Sequence, residues 1–348
     1  MPGTQWLEHV LAELPEDPVR AAQVVERSGG AQVVEQEARK LGLLSLLGNY
    51  LPTLFAPPSA EALSARFRAA QLLRATRSAL ATLQGKGVRA LNLKGVGLAA
   101  RFYPELWLRP TSDVDLLVRP ADLARATAAL REAGYREFQG PAESVFDFHH
   151  HCSFVTPSRE LVEVHFTPAC GFQSQFDVEG IFERAKQVEL ESGPLPVMGL
   201  EDALVHMCTH AAHHRFEGVK WLFDLKLLAR GARQIQWSRA VALARQARVA
   251  AAAGMALAEA ARRVRAPIPQ EVIEALAPGL RRRLLARRAS RIPGVGIYPL
   301  SLVLADRLTV RWAKELAARP IERTARWAGK DKEFRALVRA VLGIEERW

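Results

Sequence analysis

The segment Asp113-Val114-Asp115-Leu116-Leu117-Val118 constrains the fold more than any other stretch of the chain. Residues two apart on a strand share a face, so Asp113 and Asp115 project together while Val114, Leu116 and Val118 pack the opposite side. Two carboxylates held side by side repel each other and are costly unless a proton or a cation lies between them. A divalent cation suits the pair, and all-oxygen ligation favours Mg2+ or Mn2+. The same acid-x-acid spacing recurs at Glu35/Glu37, Asp177/Glu179, Glu189/Glu191 and Asp331/Glu333, but only Asp113/Asp115 leads into a wholly apolar strand. With repulsion dominant, Asp113→Asn or Asp115→Asn should leave the fold intact or more stable.

The hydrophobic period changes on both sides of this strand. Residues 1–87 read as helices. Thr4 is placed to cap Gln5 to Leu14, Pro18 opens the next helix, and Gly29-Gly30 separates it from one ending near Pro52. Ser59 to Gln84 is the clearest helix, with Leu63, Phe67, Ala70, Leu73, Leu80 and Leu83 in an apolar stripe beside a basic face. Residues 88–198 read as an α/β core. Its strands are Val88 to Leu93, Val114 to Val118, Cys152 to Val155, Leu161 to Phe166 and an edge strand at Gln187 to Glu191, with a helix over Pro120 to Gly134. Residues 199–348 return to helices. The expected class is α+β, a small mixed-sheet core flanked by helical regions.

Composition narrows the function. At 49% hydrophobic the chain can bury a core, which excludes general disorder. Cys152, Cys170 and Cys208 lack C-x-x-C spacing and read as small buried thiols of a reducing compartment. No signal peptide and no membrane span is apparent, and a cytoplasmic location is expected. The net charge of +11 is concentrated at the end, where residues 251–348 hold 20 basic and 10 acidic side chains. That region could attract nucleic acid. No aromatic platform accompanies Arg281 to Arg283, and acids such as Glu315, Glu322, Glu345 and Glu346 are interspersed, so only weak, non-specific binding is expected.

Two further segments supply chemistry. In Val162-Glu163-Val164-His165-Phe166, Glu163 and His165 share one face, and pairing this strand in the sheet of Asp113/Asp115 would set three acids over one cleft. That is the ligand set of two-metal transfer. His165 could touch phosphate or help deprotonate an acceptor hydroxyl. Upstream, Leu93-Lys94-Gly95-Val96-Gly97 runs from a strand through a turn into a helix start, where free N–H groups and the Lys94 charge favour a phosphate. Gly95-x-Gly97-x-x-Ala100 loosely fits a dinucleotide fingerprint. Against that reading, the acids lie at the near end of the next strand and alternating βαβ units are missing; a Walker A loop is absent. His206, His210 and His213, with His214 adjacent, could present imidazoles on one helical face, but without an H-E-x-x-H motif they read as polar or packing residues near the cleft, as does His149-His150-His151.

Leu93-Lys94-Gly95, Arg109-x-x-Ser112-Asp113-x-Asp115, Gly134-Tyr135 and Val162-Glu163-Val164-His165 together resemble the nucleotidyltransferase superfamily of the DNA polymerase beta type. More narrowly they are similar to uncharacterised bacterial nucleotidyltransferases with an L-K-G turn and an R-x-x-x-D-x-D strand. Glu201 to Leu228, with His210 and Trp221-Leu222-Phe223-Asp224, is similar to that group's helical region. The resemblance spans about residues 90–230. It implies Asp113, Asp115 and Glu163 as catalytic metal ligands for Mg2+ or Mn2+. It also implies an NTP, ATP foremost, at a site including Lys94, Gly95, Gly97, Arg109, Ser112 and His165. The implied reaction moves a nucleoside monophosphate to a small molecule, peptide or protein and releases pyrophosphate. An inactive binding module and a tRNA-directed enzyme are the alternatives. The wider superfamily commonly has Gly-Gly or Gly-Ser where this chain has Lys94-Gly95, and its interval to the first aspartate is shorter.

Overall fold

The computed structural model describes residues 3–55, 59–138, 150–169, 172, 174–231, 234–290 and 304–306. Near the N-terminus local sequence sets each boundary. After α1 (Gly3–Glu13), the Asp17 carboxylate accepts a hydrogen bond from Arg20 N and Pro18 occupies the first turn of α2 (Pro18–Arg27). α3 (Ala31–Lys40) and α4 (Leu44–Tyr50) replace the single helix expected before Pro52, because Gly42 adopts φ +71 between them. Thr4 lies inside α1 and donates to Glu37 rather than capping. α5 (Ser59–Gly85) forms where expected. Its buried apolar residues are Leu72, Ala75, Ala79 and Leu83, while Leu63 and Phe67 are exposed.

The central region alternates β1 (Ala90–Asn92), α6 (Val96–Phe102), β2 (Asp113–Val118), α7 (Leu123–Glu132), β3 (Arg136–Glu137), β4 (His151–Val155), β5 (Leu161–His165), α8 (Val178–Glu183), β6 (Lys186–Leu190) and β7 (Gly193–Val197). The start of the expected Pro120 helix is a 3-10 turn at Pro120–Asp122. The strands form one mixed sheet in the order β3-β4-β5-β2-β1-β7-β6. β2 runs parallel to β5 and antiparallel to β1. β7 adds a strand beyond the expected edge strand, although prolines such as Pro194 and Pro196 are ordinarily disfavoured within sheets. It pairs with β6 along its length and meets β1 at Asn92↔Val197, beyond both prolines.

Helices α9 (Leu200–His213), α10 (Val219–Arg230), α11 (Trp237–Gln246), α12 (Ala250–Val264), α13 (Gln270–Leu276) and α14 (Leu280–Ser290) follow. Val114, Leu116, Val118, Val162 and Val164 bury one face of the sheet against α5 and α7. A second, larger core joins α1 to α10 and α12 through Leu7, Leu11, Leu222, Phe223 and Ala256, and reaches the sheet at Leu91 and Leu117. Each such large side chain contributes about 1.5–3 kcal/mol of burial. The two helical ends therefore share a core, and the Lys226 ammonium, 1% exposed, reaches Leu11 O, Ala12 O and Glu16 across that contact.

Cys152 and Cys208 are buried free thiols. No helix among the described residues is long and apolar enough to cross a membrane. Cys170, His149, the acids from Glu315 onward, the Arg281 and Arg282 side chains and most of the basic C-terminal region lie outside the described residues.

Candidate active site

The parallel register of β2 and β5 sets Asp115 opposite Glu163 and Leu117 opposite His165. Strand alternation then puts Asp113, Asp115, Glu163 and His165 on the face away from α5 and α7. His165 Nε2 lies 3.1 Å from Asp115 Oδ1 and 3.4 Å from Glu163 Oε2. Both Asp115 and His165 are almost wholly buried, whereas Asp113 and Glu163 are partly exposed.

Lys94 supplies the cation that the crowded carboxylates demand. Its Nζ stands 2.7 Å from Asp115 Oδ2 and 3.7 Å from Asp113 Oδ2. Burial alone would raise the Asp115 pKa, but Lys94 and His165 outweigh it and hold the carboxyl well below its usual range. Asp113 is pushed the other way, by burial and by the Asp115 charge, with Lys94 only partly offsetting them. For Lys94 and His165 burial disfavours the charged form, yet their carboxylate partners raise both pKa values.

The turn that carries Lys94 depends on Gly95, at φ +57, where a Cβ would meet Thr111 Cγ2 at 3.1 Å. Gly97 has a packing task. Its amide donates to Asn92 Oδ1 at 2.7 Å, and a Cβ there would fall 2.4 Å from that oxygen, so this buried N–H is already spent. Ser112, exposed at the mouth, donates to Asp113 Oδ1. Arg109 was expected at phosphate, but its fork is engaged elsewhere. Nε and one terminal nitrogen bond Asp224 of α10 at 3.0 and 2.9 Å, and the other bonds Thr111 Oγ1 at 3.0 Å. Tyr103 also donates to Asp224. This buried cluster ties the 109–112 loop to α10, and Arg109 also borders the cavity that holds Lys94.

Helices α9 and α10 close the site opposite the sheet. His206 is 1% exposed with neither ring nitrogen hydrogen-bonded; burial first, then the Lys94 charge, depress its pKa to about 3. His210 packs edge-on against Trp221, and Lys220 lies over the same indole, 4.0 Å from its centroid. A cavity of about 190 Å³ opens between Lys94, Ser112, Asp113, Lys220 and Trp221, and a groove of about 420 Å³ continues from the 109–112 loop towards Trp107 and α5.

The donor set fits a divalent cation, because Asp115, Glu163 and His165 each offer a ligand atom within 4.8 Å of the others. Asp113 stands outside that group, tied to Lys94. The profile of an uncharacterised nucleotidyltransferase family matches residues 16–265, well over half of the chain. The chain belongs to that family. No curated protein matches it. This nucleotidyltransferase family unit is wider than the motif-bearing span, taking in α2 to α12 and so the helices that close the site. Sequence reasoning missed Tyr103, Lys220 and Asp224 as parts of the site. Its one signal for Lys220 and Asp224 was the Glu201 to Leu228 resemblance, which carried no role, and Tyr103 had none.

Proposed function

We propose that this protein transfers a nucleoside monophosphate from an NTP, ATP foremost, to a small-molecule, peptide or protein acceptor. One observation carries the reading. The β2–β5 register gathers Asp115, Glu163 and His165 on one face, with Asp113 and the Lys94-Gly95 turn beside them. Family membership supports the class of reaction.

Asp113, Asp115 and Glu163 would hold Mg2+ or Mn2+, which when bound neutralises triphosphate charge and makes the acceptor oxygen a better nucleophile. The chain's own part is positioning and charge. Lys94 and Lys220 meet phosphate oxygens, Gly95 lets the backbone approach closely, and Ser112 offers a hydroxyl at the mouth. The acceptor oxygen bonds the α-phosphorus as the bond to pyrophosphate breaks. Its proton passes to the Glu163–His165 pair, whose members sit 3.4 Å apart.

A second reading, a nucleotide-binding module without chemistry, is favoured by the Lys94 ammonium, which already neutralises Asp115 without a metal. Incubation with each α-labelled NTP and Mg2+ separates the two. Pyrophosphate release with label transferred to protein or acceptor, lost in Asp113→Asn, is the expected result. Nucleotide binding without pyrophosphate would favour the module. A defined tRNA labelled in preference to small acceptors would overturn the acceptor class.

A further inference from the structure

The imidazoles beside the carboxylates form a second constellation. The antiparallel register of β4 and β5 sets His151 opposite His165, and Phe166 N donates to His150 O at 3.0 Å, which draws His150 to the same place. Ring centroids are 4.6 Å apart for His150–His151, 5.0 Å for His150–His165 and 4.9 Å for His151–His165. One donor nitrogen from each lies within 4.8 Å of the other two. His165 is 2% exposed and its Nδ1 is buried without a hydrogen bond, a polar atom that a ligand would satisfy.

We propose that His150, His151 and His165 bind one transition-metal ion of the zinc class, at a nitrogen-donor site that adjoins the carboxylates and shares His165 with them. Three imidazoles select Zn2+, Co2+, Ni2+ or Cu2+ over Mg2+, which takes oxygen ligands. Glu163 borders the trio, with Oε1 3.6 Å from His151 Nε2 and Oε2 3.4 Å from His165 Nε2. The helical histidines singled out from spacing contribute none of the metal-competent groups among the described residues. On α9 the His206–His210 centroid distance is 6.0 Å.

The test uses the full chain, stripped with a chelator and titrated with Co2+ under excess Mg2+ while its visible d–d absorption is followed. No nucleotide is present, so the result does not depend on nucleotidyl transfer. Saturation at one Co2+ per chain, displaced by Zn2+ and not by Mg2+, is expected. His150→Gln and His151→Gln, each checked for folding by circular dichroism, should weaken binding at least the roughly 10–100-fold that losing even an outer-shell partner costs. Asp113→Asn, outside the trio, should bind Co2+ as the wild type does. Absence of the Co2+ spectrum under Mg2+, equal affinity in both histidine variants, or loss in Asp113→Asn alone would overturn the site. On the unaltered protein, nitrogen hyperfine structure of bound Cu2+ should show at least two imidazoles, and fewer would overturn it as well.

Discussion

On β2 and β5 the face turned to α5 and α7 carries Val114, Leu116, Val118, Val162 and Val164, while the face towards α9 and α10 carries Asp113, Asp115, Glu163 and His165. Both faces are largely buried. The first lowers the free energy of folding by removing apolar surface from water. The second takes charges out of water and must offset that cost with Lys94, His165 and neighbouring imidazoles. A chain selected for stability alone would make both faces alike. Retaining the second points to chemistry there, and the contrast can be broken one face at a time.

The largest difference should be in activity. Asp113→Asn and Glu163→Gln should each lower pyrophosphate release by about 100- to 1000-fold or more, the scale of losing one preorganised electrostatic group. Leu116→Ala, on the apolar face, should leave turnover per folded molecule unchanged. Steady-state assays on protein confirmed as folded would decide it, and an active Glu163→Gln variant would demote β5 to scaffold.

Stability should sort the faces by a different rule. Leu116→Ala should cost about 2–5 kcal/mol through a cavity. Asp224→Ala should cost about 3–5 kcal/mol by stranding the buried Arg109 guanidinium, although it touches neither face of the sheet. Asp115→Asn should also destabilise, because it leaves Lys94 and His165 without their shared partner. Urea denaturation midpoints measure all three, and an Asp224→Ala variant as stable as wild type would show that the ion pair does not tie the loop to α10.

The polar face and the α9 imidazoles that cover it should make stability depend on pH near neutrality. The folded pKa of His206 is about 3 against an ordinary 6.5, so below pH 6.5 the unfolded chain binds a proton that the folded chain refuses. Its contribution is present above 6.5 and is lost as pH falls. At pH 5 the loss from this residue is about 2 kcal/mol. His150 and His210 act with the same sign. His165, whose pKa is raised, opposes them, since its contribution is present below 6.5 and fades as pH rises through the folded value. The denaturation midpoint should drop between pH 7.5 and 5, and His206→Leu should flatten the slope. A flat wild-type profile would mean that these imidazoles titrate normally.

Sequence alone made half of this contrast legible. Alternation in Asp113 to Val118 and Val162 to Phe166 identified both faces, and the register of β2 against β5 follows the expected pairing. The other half depends on partners 115 residues apart, Arg109 and Asp224, which no local pattern links. For that reason Arg109 read as a phosphate ligand, when its fork is occupied, and Lys220 was passed over. Lys220 should now matter in a small way. It borders the same cavity as Lys94 on a helix that sequence linked to the site by resemblance alone. Lys220→Ala should weaken NTP binding by about tenfold, or 1.4 kcal/mol, without altering stability measurably. Isothermal titration calorimetry with a non-hydrolysable NTP reads it directly, and unchanged affinity would move the triphosphate away from α10.

The smallest expected effect is opposite in sign to the others and divides the polar face itself. Repulsion between the two aspartates suggested that removing either charge would be harmless or stabilising. The structure separates them. Asp115 is held well below its usual pKa by Lys94 and His165, so its charged form is favoured in the fold and its removal costs stability. Asp113 is pushed up by burial and by Asp115, so at neutral pH the fold bears an unfavourable charge there. Neutralising it should raise stability, by no more than about 1 kcal/mol because the side chain is partly open to solvent and Lys94 still faces it at 3.7 Å. The gain should be fully present above the raised folded pKa of Asp113 and vanish in acid, where the folded and then the unfolded Asp113 of the wild type take up their protons. A denaturation midpoint for Asp113→Asn below that of wild type at pH 7 would show that Lys94, and not repulsion, governs both carboxylates.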